Sequence, residues 1–108
     1  MKTIPWLIAG LTVFGAAAAG AAVVHQTVEY DHEGVTLEGY VAYDDAVEGR
    51  RPGVLIVHQW MGLSDNERMR ADMLAAMGYV AFALDVYGKG IRPANTQEAS
   101  AEAGKYYG

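Results

Sequence analysis

Two short segments carry polar and aromatic side chains directly behind apolar runs: His58-Gln59-Trp60-Met61-Gly62 and Asp85-Val86-Tyr87-Gly88-Lys89-Gly90. If those runs are parallel strands, both segments lie beyond the strands' C-terminal ends, where open α/β sheets bind ligands. Two readings then stand side by side: the segments line a pocket, or they are ordinary strand-to-loop exits. His58 alone carries little weight, because a lone histidine at a strand end is more often structural than catalytic. Asp85 has the chemistry of a base or metal ligand, but an acid behind a buried strand often just caps a turn. Trp60 is read as a pocket wall or as core. His25 and His32 are read as solvated, and Tyr106 and Tyr107 as packing for a last helix.

A nucleophile is harder to find. The sequence has no cysteine and two serines, Ser64 and Ser100. The elbow that presents a nucleophile at a strand-to-helix turn reads G-x-S-x-G or G-x-C-x-G, and neither pattern is present. Ser64, in Gly62-Leu63-Ser64-Asp65-Asn66, lacks the second glycine and serves better as a helix cap. Ser100 falls inside the last expected helix. The absence of cysteine also excludes disulfides and thiolate metal sites. A phosphate loop would need several glycines behind the first parallel strand. His58 to Ser64 offers Gly62 alone, and Gly88-x-Gly90 is an isolated pair.

The elements that must hold these segments follow from the pattern. Gly53-Val54-Leu55-Ile56-Val57 is a continuous apolar run, suited to a strand covered on both faces. Ser64-Asp65-Asn66-Glu67 fits a capping box, in which serine and glutamate each satisfy an orphan amide. The helix it opens is expected over Asp65 to Met77, with Met69, Met73, Ala76 and Met77 on one face, Leu74 beside them, and Gly78 as the stop. Tyr79 to Leu84 is a second buried strand, so strand, helix and strand form a βαβ crossover. Ahead of it, Val28 to Tyr30 and Val35 to Tyr43 are expected to form a hairpin around Asp31-His32-Glu33-Gly34. In its second strand Val35, Leu37, Gly39 and Val41 alternate with polar or small residues, as in a half-buried strand. A last helix is expected from about Thr96 toward Tyr107.

The chain has 108 residues and a formal charge of −5, which suits one small domain at most. An acidic chain without a basic stripe argues against nucleic-acid partners and against an electrostatic hold on anionic lipid. Residues Met1 to Ala22 stand apart: Lys2 is their one charge, Trp6 to Phe14 is apolar, and Gly15 to Ala22 are small. This describes a secretory signal peptide, with an uncleaved anchor over Ile4 to Val24 as the minor alternative. The expected organisation is a leader at 1–22 and an α/β domain at 23–108, exported to the periplasm or the exterior and free of the membrane after cleavage.

The stretch RPGVLIVHQWMGLSDNERMRADMLAAMGYVAFALDVYGKGIRPAN, Arg51 to Asn95, resembles the dienelactone hydrolase family of the α/β-hydrolase superfamily. An H-x-W-x-G loop, a capped helix, a GYVAFALD strand and a YGKG loop occur in that order. The resemblance implies the N-terminal portion of an α/β-hydrolase fold, a β-hairpin followed by a βαβ unit, with an incomplete sheet. It implies cleavage of a small-molecule ester or lactone through a nucleophile, histidine and aspartate, without cofactor or metal. The Trp60 backbone N–H matches an oxyanion-hole donor. Gln59 matches a glutamate that contacts the nucleophile, and glutamine cannot take a proton. Lys89 matches a position where an arginine holds a substrate carboxylate; lysine lacks that bidentate fork. With His58 and Tyr87, which stand behind the same two strands, it is expected to bind substrate. In the family the elbow, acid and histidine come later in the chain. The expectation is therefore a fragment, inactive alone, whose Gly53–Val57 edge is bare and prone to self-association. The alternative is a non-catalytic exported binding module or a decayed gene product.

Overall fold

The computed structural model describes residues 22–107. Strands β1 (Val23–His32) and β2 (Val35–Asp44) form the hairpin, paired over their whole length from Val23 opposite Asp44 to His32 opposite Val35. The connection is two residues long, with positive φ at Glu33 and Gly34, as tight hairpins with right-handed twist require. β1 begins at Val23 rather than Val28. Its first half shows no alternation because it is an edge strand with little burial on either side, so its pairing partner defines it and its own pattern does not.

Strand β3 (Gly53–Val57), helix α1 (Asp65–Ala76), strand β4 (Val80–Leu84) and helix α2 (Thr96–Gly104) follow. The sheet order is β1-β2-β4-β3. β3 and β4 run parallel, with Val57 opposite Leu84, and β4 joins the hairpin antiparallel through Tyr40 opposite Ala83. The architecture is thus the expected hairpin plus βαβ unit. The expected leader, residues 1–22, lies outside the described residues except for Ala22. Among the described residues, no helix is long and apolar enough to cross a membrane.

The expected single apolar face of β2 is corrected. Leu37 and Gly39 are buried on one side, but Tyr40, Ala42 and Asp44 are buried too, while Val35 is exposed. β2 sits inside the sheet and α1 covers the Tyr40 side, so both faces carry burial. Gly39 has its own reason: a Cβ there would lie 2.7 Å from Phe82 Cζ and 2.9 Å from the Ala83 carbonyl.

The expected methionine face of α1 is also corrected. Met69, Met73 and Met77 are 50%, 52% and 70% exposed, and the buried positions are Glu67, Ala71 and Ala75. The helix meets the sheet alanine to alanine, Ala71 and Ala75 joining Ala42, Ala81 and Ala83 in one cluster with Tyr40 and Leu63. Small residues on both surfaces let the layers approach closely, which methionine would prevent. The helix ends as anticipated at Gly78, whose φ is +100. The Tyr79 N–H reaches the Leu74 carbonyl and the Gly78 N–H reaches that of Ala75, the pairing of a Schellman stop.

The opposite face of the sheet is open. Leu55, Phe82 and Leu84 line a cavity of about 480 Å³ with Tyr30, Leu37 and Tyr106. At the free edge of β3, Leu55 and Val57 are 62% and 65% exposed.

Candidate active site

The parallel pairing of β3 with β4 brings their C-terminal exits to the same end of the sheet, as the position of a ligand site requires. Two side chains then tie the exits together. His58 is buried; its Nε2 accepts from the Val86 N–H at 3.0 Å and its Nδ1 lies 2.7 Å from the Gln59 carbonyl. The Tyr87 hydroxyl donates to the Trp60 carbonyl at 2.8 Å. Burial raises the Tyr87 phenol above its ordinary value, with Glu102 and the neighbouring tyrosines adding to it, so the hydroxyl stays a donor.

Gln59 to Gly62 is a turn closed by the Gly62 N–H on the Gln59 carbonyl at 3.0 Å, with Gly62 at φ +88. Trp60 stands at the outer corner of this turn, and its N–H donates to no acceptor among the described residues. The turn forms one wall of a cleft of about 210 Å³ lined by His58, Gln59, Trp60, Tyr87, Tyr106 and Tyr107. Tyr106 stacks on Tyr87 with centroids 5.9 Å apart. The two last tyrosines, read from sequence as helix packing, therefore border the cleft. They follow α2, which ends at Gly104 and turns them back over the sheet's end.

Asp85 is 1% exposed and fully committed. One carboxylate oxygen accepts the Glu38 N–H at 2.9 Å; the other accepts the N–H groups of Tyr87 and Gly88 at 3.1 and 3.2 Å, with Arg92 at 3.5 Å. It shapes the 86–90 loop, and main-chain amides engage both of its oxygens. Ser64 is equally occupied. Its hydroxyl accepts from the Asn66 N–H at 3.3 Å and donates to Glu67 at 2.7 Å, while Glu67 accepts the Ser64 N–H. Burial pushes the Glu67 carboxyl up, but the bonds from Ser64 and Asn66 outweigh it and hold the group below its usual value. Ser100 is exposed on α2.

Lys89 is placed by its N–H on the Thr36 carbonyl at 2.9 Å, and its ammonium is paired with Glu29 on β1. The hydrogen bond and charge of Glu29 raise its pKa. Glu29 and Tyr30, whose hydroxyl bonds the Asp85 main chain, were not singled out from sequence. Nothing in the order of residues marks them, because they act across the sheet from a distant edge strand. Of the predicted site residues, the structure brings His58, Gln59, Trp60 and Tyr87 to one cleft; Lys89 shares that end of the sheet but turns its ammonium toward β1.

The dienelactone hydrolase family profile matches residues 37–106, from β2 through both loops to Tyr106. The chain belongs to the dienelactone hydrolase family. "Protein usf" of Aquifex pyrophilus is 38% identical over 65 residues, covering 57% of this chain and 27% of the relative. A protein of Aquifex aeolicus (strain VF5), named as a candidate carboxymethylenebutenolidase, is 40% identical over 65 residues with the same coverage. The solved structure of m3DLH superposes with a TM-score of 0.74 at 28% identity, covering 78% of this chain and 35% of that one. The chain thus spans 27% of the length of these curated relatives. The matched part of the family contains both loops of the cleft but not β1, so the Glu29–Lys89 pair joins a family segment to a strand outside the match.

Proposed function

We propose that this chain is the front part of an exported hydrolase of small-molecule esters or lactones, and that the Trp60 N–H is one donor of its oxyanion hole. The observation that carries this reading is the Trp60 amide itself. It has no acceptor among the described residues, and it belongs to a turn residue that lines the cleft and follows the first parallel strand. Such a donor gains strength as negative charge grows on the carbonyl oxygen of a tetrahedral intermediate. Tyr87 supports it through the Trp60 carbonyl, and the aromatic walls suit an uncharged acyl group. Lys89, held by Glu29, meets a substrate carboxylate only by giving up that partner.

With cysteine absent and Ser64 engaged as a helix cap, these residues offer the oxyanion donor without an activated nucleophile. The same observation favours a second reading, a non-catalytic exported binding module. Two measurements test the proposal. In a 15N-labelled chain, phenyl methylphosphonate, a tetrahedral oxyanion mimic, should move the Trp60 amide first; an unmoved Trp60 amide rejects the oxyanion role. Reading the coding frame past Gly108 separates the two functions: a G-x-C/S-x-G elbow supports the hydrolase, and its absence favours the binding module. Export is proposed from the leader alone, and an N-terminus that still begins at Met1 in exported protein would contradict cleavage.

A further inference from the structure

The Gln59 carbonyl receives two donors, the Gly62 N–H at 3.0 Å from within the turn and the His58 imidazole at 2.7 Å. A carbonyl only accepts, so Nδ1 of His58 must carry the proton. The Val86 N–H points at Nε2 at 3.0 Å, so Nε2 must be bare. The ring is therefore neutral, and its tautomer is set by main-chain groups on both sides. The Gln59 carbonyl and the Trp60 N–H belong to one planar trans peptide unit and point in opposite directions. Whatever aims that carbonyl aims the Trp60 N–H. The next peptide unit is held as well, through Tyr87 on the Trp60 carbonyl at 2.8 Å.

We propose that His58 is a positioning residue: its neutral imidazole, protonated on Nδ1, grips the Gln59 carbonyl and hangs from Val86, and so fixes the direction of the Trp60 N–H toward the cleft. This rests on the oxyanion reading of Trp60 and assigns the ring a task other than touching substrate. The grip is rigid at both ends because Val86 follows β4 and Asp85, whose carboxylate accepts the next two amides, Tyr87 and Gly88. β3 thus borrows the order of the β4 exit to orient a peptide on its own exit, although β3 is an edge strand.

The tautomer is read directly from imidazole 15N shifts of the full chain at pH 8, with exposed His32 as the internal reference. The proposal requires the Nδ1-protonated form at His58; an Nε2-protonated ring overturns it. Two variants separate grip from packing. His58→Asn keeps a side-chain N–H near the Nδ1 position and loses the acceptor for Val86. His58→Gln can accept from Val86 and loses the donor to Gln59. The Trp60 amide response to phenyl methylphosphonate should weaken by up to about tenfold in the glutamine variant, the scale of one net hydrogen bond, and by less in the asparagine variant, which loses the Val86 anchor but keeps the donor to Gln59. Equal weakening in both, or none in the glutamine variant, overturns the proposal. If a variant fails to fold, the tautomer of the parent decides. A parent whose Trp60 amide ignores the phosphonate removes the oxyanion role and the positioning task with it, while a correct tautomer would leave the grip itself standing.

Discussion

The Tyr30 hydroxyl bridges the main chain of Asp85, donating to its carbonyl at 3.0 Å and accepting from its N–H at 2.8 Å. A single oxygen on the outer strand thereby replaces two ladder bonds at the point where β4 stops and its functional loop begins. The Asp85 side chain completes the joint by accepting the Glu38 N–H from β2 and two N–H groups of its own loop. The far edge of the sheet and the mouth of the cleft are one hydrogen-bonded unit.

Removing that joint should unfold the loop before the sheet. Asp85→Ala strands two buried amides and a partly buried one and should cost about 3 kcal/mol or more, while Tyr30→Phe should cost about 1–2 kcal/mol. Urea denaturation gives both values. An Asp85→Ala loss below about 1 kcal/mol would show that water takes over the carboxylate's bonds.

Gly39→Ala should destabilise the protein by about 1–3 kcal/mol through overpacking, because the new methyl meets the Phe82 ring and the Ala83 carbonyl. Phe82→Leu in the same chain should recover part of the loss and not all, since the backbone oxygen remains at 2.9 Å. Full recovery in thermal melts would place the conflict entirely in the ring.

Alkaline stability should depend on Tyr40. Its hydroxyl donates to Asp72 at 2.8 Å, and burial, then that bond and the Asp72 charge, push its pKa up to about 12 from 10.0. The folded state holds the proton more tightly than the unfolded chain, so this contribution is whole below pH 10 and is lost as pH rises toward 12. Tyr40→Phe should be less stable at neutral pH by about 1 kcal/mol yet lose less between those values. A parallel pH profile for parent and variant would contradict the assignment.

The free edge of β3 should drive self-association. Leu55 and Val57 are exposed there, and β3 pairs with β4 alone, leaving main-chain groups and apolar side chains for another strand. Leu55→Lys and Val57→Lys should each lower the mass measured by light scattering at a fixed concentration. A parent that stays monomeric at high concentration would remove this expectation.

Local signals were legible without coordinates. The capping box at Ser64 and Glu67, the stop at Gly78, a turn within Asp31-His32-Glu33-Gly34 and the two apolar runs each concern residues within a few positions of one another, where backbone sterics and hydrogen-bonding needs decide the outcome; the strand takes Asp31 and His32 and leaves Glu33-Gly34 as the turn. The order of those signals also carried the fold class and placed Trp60 and Tyr87 at one end of a sheet. What the sequence could not show was which surface each element buries. Met69, Met73 and Met77 satisfy helical spacing as well as Ala71 and Ala75 do, and the choice went to the residues small enough to lie against a sheet of alanines. The partners of His58, Asp85 and Lys89 were hidden for the same reason: Val86, Glu38 and Glu29 lie 28, 47 and 60 residues away, and only strand order and register bring them within reach.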